Sequence, residues 1–274
     1  MAQTEELHHV DLAGDGPPIV LVHGLASCLR LWDGVAGRLQ ALGHRVVACD
    51  LRGHGLSPKP DGPYDVATMA ADVAALIEPL DLGPCLLAGQ SYGGTVVMQL
   101  AADRPDLAAR VVCIDGGFLD LGRRYPDWER CWKELAPPLL TGRPLAALRL
   151  RMRSERAGWP PEALEGQLAC FEVRDDGTVA PWLTREHHHD VLHGLWSVDA
   201  PALWARVAVP VLLVVAQRPG SQARTKHHDD VSRCQAVLAE HTTSMVVWMD
   251  GDHDLHAQLP EPVARLLHDW AGSG

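Results

Sequence analysis

The segment of this chain best suited to do chemistry is a serine framed by glycines, Gly89-Gln90-Ser91-Tyr92-Gly93-Gly94. It follows the apolar run Cys85 to Ala88 and opens a stretch with Val97, Leu100 and Ala101 at helical spacing. A strand that turns sharply into a helix holds the turning residue in strained backbone and lifts its hydroxyl clear of the sheet. Gly89 and Gly93 serve that turn because a Cβ at either would collide across it. The helix that follows aims its N-terminal dipole at the reacting oxygen. In a chain with 25 glycines the Gly-x-Ser-x-Gly string alone carries little weight, and an ordinary glycine-rich turn is the competing reading. The strand-to-helix setting is what favours a nucleophile.

A serine hydroxyl is a poor nucleophile near neutral pH and needs a positioned base. The chain has 15 histidines. Seven of them sit in solvated-looking groups, His8-His9, His187-His188-His189 and His227-His228. His253 differs: it lies in Asp250-Gly251-Asp252-His253-Asp254, between the last strand pattern and the last helix pattern. That places it on a loop at the carboxyl edge of a sheet, the same edge as Ser91, where the ligands of open α/β sheets collect. The base in turn needs a carboxylate to hold its tautomer and stabilise the imidazolium. The loop Gln217-Arg218-Pro219-Gly220-Ser221-Gln222 offers none. The run Val111-Val112-Cys113-Ile114-Asp115-Gly116-Gly117 ends on Asp115 at the catalytic edge, with two glycines that let the chain turn away. Asp115 is therefore the expected third member, against the reading of a capping or turn aspartate. Asp120 and Asp229 are poorer candidates, since neither directly ends a strand. The backbone N–H groups of Tyr92, one residue after the serine, and Leu25, after His23-Gly24 at the end of an earlier strand, are expected to hold an oxyanion.

The elements needed to bring these groups together are visible as alternating patterns. Short apolar runs at Pro18 to Val22, Arg45 to Cys49, Cys85 to Ala88, Arg110 to Ile114, Val211 to Val215 and Met245 to Met249 read as strands of a mostly parallel sheet, and Leu7 to Leu12 as an antiparallel edge strand. Val66, Met69, Val73, Ile77 and Leu80 mark a helix with Asp65 as its N-cap. Val263, Leu266, Leu267 and Trp270 mark the last helix, with Pro260 and Pro262 near its start. The fold class expected is thus α/β, with residues 1–117 and 205–274 forming the core and residues 118–204 a largely helical cap inserted after Asp115. The insertion holds most of the tryptophans. Trp128, Trp132, Trp159 and Trp182 are the candidates for substrate contact, although helix packing explains them equally well.

The remaining features bound the function. At 274 residues and 47% hydrophobic, the chain can bury a large core, and a net charge of -11 argues against nucleic acid and anionic membranes as partners. No secretory pattern opens the chain, and its longest apolar stretch, Val207 to Ala216, is broken by Pro210 and too short for a bilayer. A cytoplasmic protein is expected. Seven cysteines without a Cys-x-x-Cys pair read as buried free thiols. No nucleotide loop is present, so no cofactor is expected. Metal binding by His187-His188-His189-Asp190 is disfavoured because adjacent helical histidines point in different directions. The expected partner is a small apolar molecule, and the oligomeric state is open, a homodimer included.

Taken together these segments resemble the α/β-hydrolase superfamily over nearly the whole chain. His23-Gly24-Leu25 is similar to its oxyanion segment, Asp50-Leu51-Arg52-Gly53-His54-Gly55-Leu56-Ser57 to the loop after the next strand, Gly89 to Gly93 to the nucleophile elbow, and Asp252-His253-Asp254 to the catalytic histidine loop. The family usually carries its acid after the strand preceding Gln217, and this chain departs from that. A subgroup that includes lactone-cleaving, zearalenone-hydrolase-like enzymes places it twenty-four residues after the nucleophile, as Asp115 stands to Ser91. The resemblance implies an acyl-enzyme hydrolase of esters or lactones. Cleavage of a thioester or of a carbon–carbon bond by the same triad is the alternative, with a non-hydrolytic binding or pericyclic protein as a third.

Overall fold

The computed structural model describes residues 6–217 and 223–272. Ten strands form in chain order: β1 (His9–Leu12), β2 (Gly16–Val22), β3 (His44–Cys49), β4 (Cys85–Gln90), β5 (Ala108–Ile114), β6 (Arg143–Pro144), β7 (Phe171–Val173), β8 (Thr178–Pro181), β9 (Val211–Gln217) and β10 (Ser244–Asp250). The helices are α1 (Asp33–Ala41), α2 (Val66–Ile77), α3 (Tyr92–Asp103), α4 (Leu121–Arg124), α5 (Trp128–Leu135), α6 (Leu145–Glu155), α7 (Pro161–Leu168), α8 (Arg185–Trp196), α9 (Ala200–Trp204), α10 (Ala223–Leu238), α11 (Leu255–Gln258) and α12 (Pro260–Gly272).

Seven strands build one sheet in the order β1-β3-β2-β4-β5-β9-β10. Only β1, the expected edge strand, runs antiparallel to its neighbour; every other pairing is parallel. The central strands are apolar throughout because both faces are covered. Val20, Val22, Leu87, Val111 and Leu213 point to one face, under α2, α3, α9 and α10. The alternate residues Ile19, Leu21, Leu86, Val112 and Leu212 point to the other, under α1 and α12. Asp65 caps α2 by accepting the Thr68 N–H at 2.9 Å.

Two helices escape the apolar pattern. α1 carries Gly34 and Gly37, poor helix formers, and is held by burial of Val35, Ala36 and Leu39 against the sheet. α10 presents Val231, Cys234 and Leu238 to the core. Arg218 to Gln222, the acid-free loop noted above, lies outside the described residues. All seven cysteines are free, and all but Cys170 are buried.

Between β5 and β9 the chain leaves the sheet. The stretch is mainly helical, as expected, but it also contains a small antiparallel sheet, β6-β8-β7. Its strands are two to four residues long and too short to show a two-residue alternation in the sequence. Phe118, Leu183, Ala200, Leu203 and Trp204 from this stretch join the main core. Trp204 is fully buried and its indole N–H donates to Gly117 O at 2.8 Å, pinning the return of the chain beside the end of β5. Trp204→Ala is expected to lower unfolding stability by about 3–5 kcal/mol. Trp204→Phe, which mainly loses the hydrogen bond, should cost about 1 kcal/mol, with smaller packing loss. Urea unfolding midpoints of the two variants check the order.

Candidate active site

The turn after β4 is as tight as its glycines imply. Ser91 sits at φ 52° and ψ −118°, between the last residue of β4 and the first of α3. A Cβ on Gly93 would run into the carbonyl oxygens of Val22 and His23. The Ser91 N–H donates to Ile114 O at 2.9 Å, which ties the turn to the end of the neighbouring strand β5. There Asp115 follows, also at positive φ (47°). Its N–H donates to Val214 O at 2.7 Å. Its carboxylate is buried and bridges two elements: Oδ1 accepts the Ala216 N–H of β9 at 3.0 Å, and Oδ2 accepts Nδ1–H of His253 at 2.6 Å. With Nδ1 donating to a carboxylate, the ring's tautomer is set and Nε2 is its basic nitrogen.

His253 stands on the loop after β10, an edge strand two places away from β5. The loop folds back over the end of β9. Gly251 N–H donates to Gln217 O at 2.9 Å, and the Gln90 side-chain amide donates to His253 O at 3.1 Å and to Asp254 Oδ1 at 3.3 Å. Gln90 was not singled out in the sequence. Its only signal is its place inside the glycine-framed turn, next to Ser91. Burial pushes the Asp254 carboxyl up, against the opposing pull of His253.

The segment after β2 lies against the serine. A Cβ added to Gly24 would collide with the Gln90 side-chain oxygen and stand 3.1 Å from the Ser91 Cβ, so the missing side chain leaves room for both. Leu25 follows directly, and Tyr92 is the first residue of α3, whose first-turn N–H groups have no intrahelical acceptor. The loop is braced from below by two buried histidines. His23 Nδ1–H donates to Gly24 O at 2.8 Å and its Nε2 accepts Leu51 N–H at 3.0 Å. His54 Nδ1–H donates to Arg52 O at 2.9 Å and its Nε2 accepts the N–H of Ala26, itself at φ 56°, at 3.2 Å. The Asp50 carboxylate accepts the N–H groups of Leu29 (2.8 Å) and Leu56 (3.0 Å), and Arg52 makes a two-pronged ion pair with Asp72.

Ser91 and His253 line one cavity of about 270 Å³, together with Gly24, Leu25 and Ser27. The stretch between β5 and β9 closes it with Met152, Arg156, Gln167, Cys170 and Phe171. None of Trp128, Trp132, Trp159 and Trp182 is among its lining residues. Trp128 and Trp132 instead pack on each other and on His189 of α8. Trp182 donates to Ala169 O at 3.1 Å and carries Lys59 over its ring. Trp159 packs beside Leu31 and Ala163, with the Arg156 guanidinium 5.3 Å from its ring. Indoles are large, and here their area is spent on joining helices. The aromatic wall on which an apolar substrate was expected is not at this cavity.

The triple-histidine segment diverges. His187 Nδ1 lies 3.1 Å from the Tyr64 hydroxyl, His188 is buried near Trp132, and His189 faces Asp190 at 3.2 Å. Among the described residues no group of three or more His, Cys, Asp or Glu side chains is arranged to hold a metal. No helix among them is long and apolar enough to cross a membrane.

The sequence matches the family model of the alpha/beta hydrolase fold over residues 17–155. The chain belongs to the α/β-hydrolase family. Among curated relatives, the sn-1-specific diacylglycerol lipase ABHD11 of Mus musculus is 41% identical over 108 residues, 38% of this chain and 34% of that protein. The aligned segments span 31% of the length of the first mycobacterial relatives, so the likeness reaches about a third of those proteins. Two solved structures share the fold over most of their length. An E-2-(acetamidomethylene)succinate hydrolase matches with a TM-score of 0.77 and 23% identity, covering 96% of this chain and 94% of that one. The enol-lactonase from Burkholderia xenovorans LB400 matches at 0.68 and 21%, covering 98% and 97%.

The buried histidines make the stability of this α/β-hydrolase depend on pH. Burial holds His54 well below the usual 6.5, His188 at about 4 and His256, its ring tilted against Trp32 at 4.3 Å, at about 3. In the unfolded chain these rings take up protons as pH falls through about 6.5, while in the folded chain they stay neutral to lower pH. The unfolded state then binds more protons, so stability falls with pH from about 6.5 downwards. Thermal unfolding between pH 7.5 and 5 should show a falling midpoint. A midpoint unchanged across that range would contradict neutral buried rings.

Proposed function

We propose that the protein is a serine hydrolase that cleaves a carboxylic ester or lactone through an acyl-enzyme. The observation that carries this reading is the 2.6 Å bond from His253 Nδ1 to the buried Asp115 carboxylate, with His253 and Ser91 on the wall of one cavity. In this reading Ser91 Oγ attacks the carbonyl carbon while its proton passes to His253 Nε2. The oxyanion forms beside the Leu25 and Tyr92 N–H groups. His253 then protonates the departing alkoxide, leaving an ester on Ser91. Water attacks that ester, gives a proton to His253, and the serine regains its hydrogen as the carboxylic acid leaves. Asp115 stays ionised throughout and stabilises the imidazolium. A serine, not an aspartate, at the turn fits acyl transfer and disfavours the alkyl-ester chemistry of dehalogenation.

The stretch 118–204 serves as a lid in this reading, since it supplies one wall of the cavity. The lipase name of the mouse relative and the lactonase name of the structural neighbour agree with ester or lactone cleavage, the first over about a third of each chain and the second by fold alone.

Ser91→Ala is expected to abolish hydrolysis of short 4-nitrophenyl esters. Asp115→Asn should lower kcat by on the order of 10⁴ with little change in KM, because the amide cannot hold the imidazolium. Steady-state kinetics check both. Undiminished hydrolysis by Ser91→Ala would end the proposal. A second test is Gln90→Leu, which removes the tether on the His253 loop. It should lower kcat by about tenfold while leaving Ser91 in place.

A further inference from the structure

We propose that the hydrolase acts on a small ester or lactone bearing a free carboxylate, and that Arg156 is the residue that recognises it. The inference rests on the serine-hydrolase reading above and adds the class of substrate.

Three polar side chains from three separate elements line the cavity, and each has one buried atom without a hydrogen-bond partner among the described residues. Arg156 follows the last residue of α6, and its Nε is buried with no hydrogen-bond partner among the described residues. Ser27, from the loop after β2, has a buried hydroxyl in the same condition. Gln167, near the end of α7, is buried and its amide oxygen is unpartnered. Buried polar groups are nearly always paired, and an orphan is costly to keep. Three of them around one cavity next to a serine nucleophile mark groups kept for a ligand.

Among the described residues that line the cavity, Arg156 is the only Lys or Arg. It is poorly committed within the protein. Its Nη1 lies 3.5 Å from Glu155 Oε2, a carboxylate whose other oxygen already accepts from Arg151 at 2.7 Å. Most other arginines of the chain make closer ion pairs, such as Arg45 with Asp11 at 2.7 Å. The Trp159 ring beneath the guanidinium holds the side chain in place without neutralising it. Asp254 lines the same cavity, but it is occupied by the Gln90 amide and makes no ion pair with Arg156. A guanidinium held over a ring, with only one long, shared ion pair and a free Nε, suits a planar, two-oxygen anion. The Ser27 hydroxyl can donate to the same group, while the Gln167 amide oxygen can accept only from a donor elsewhere on the ligand.

Size points the same way. About 270 Å³ lies below the roughly 300–1,000 Å³ of drug-sized ligand pockets. Met152 and Phe171 give the apolar contact for a short chain between the scissile carbonyl and the carboxylate. A compact acid monoester or lactone fits within this cavity.

The test compares 4-nitrophenyl hydrogen succinate with neutral 4-nitrophenyl butyrate. The wild-type enzyme should favour the charged ester in kcat/KM, chiefly through KM. Arg156→Gln should lower the charged-to-neutral ratio by about ten- to a hundredfold, and Arg156→Lys should restore part of it. A ratio near one in the wild-type enzyme, or one that Arg156→Gln leaves unchanged, overturns the carboxylate assignment while Ser91-dependent hydrolysis still stands. Loss of the serine reading shows differently, as failure of a fluorophosphonate to label Ser91. A measurement on unaltered protein covers a variant that does not fold: glutarate should slow fluorophosphonate labelling of Ser91 at least tenfold more effectively than glutaramide. Equal protection by the two would also overturn the assignment.

Discussion

A carboxylate shut away from water must be fully bonded or it loses its charge, and the Asp115 side chain satisfies that demand by joining strands that are not neighbours in sequence. One oxygen takes the Ala216 N–H of β9, and the other takes the ring of His253, which arrives from beyond β10. Both bonds are to a buried ion, the stronger kind. The same atoms therefore hold the sheet's end together and fix the tautomer of the imidazole. The placement of the histidine loop, the reach of β10 over β9 and the orientation of the basic nitrogen all follow from that one group.

Around this bond the backbone is held where side chains rarely go. Of the four non-glycine residues at positive φ among the described residues, Ala26, Ser91 and Asp115 lie at this edge of the sheet. Such conformations cost of order 1–3 kcal/mol each and persist only where the surroundings enforce them. The enforcing contacts are specific. Ile114 O holds the Ser91 N–H, Val214 O holds the Asp115 N–H, and His54 Nε2 holds the Ala26 N–H. The two strongly apolar faces of the sheet supply the stability against which this strain is set. Burial of His23 and His54 depresses the basicity of both rings.

The cavity above the edge is polar where the sequence suggested aromatic. Arg156, Gln167 and Ser27 face it, while the tryptophans hold the helices of the insertion to one another and to the core. In the proposed reading the strand ends supply the reacting groups, and the stretch from 118 to 204 supplies one wall of the cavity above them.

The sequence by itself determined the sheet, its strand runs and the family, because a strand covered on both faces needs unbroken apolar residues and the turn at Ser91 needs glycines at fixed offsets. Those are local demands and they leave local marks. It also singled out Ser91, His253 and Asp115, which the fold gathers at one edge, since Ser91 and Asp115 directly follow strands and His253 stands on the loop after one. What only the tertiary structure decided are contacts between segments far apart in the chain. Gln90 reaching His253 spans 163 positions, and the cavity wall is assembled from the loop after β2 and the ends of α6 and α7. No periodicity or spacing encodes which face of a short helix meets which loop. The short strands of β6-β8-β7, and the side on which each tryptophan lies, were invisible for the same reason: they are fixed by packing against partners that the local sequence does not name.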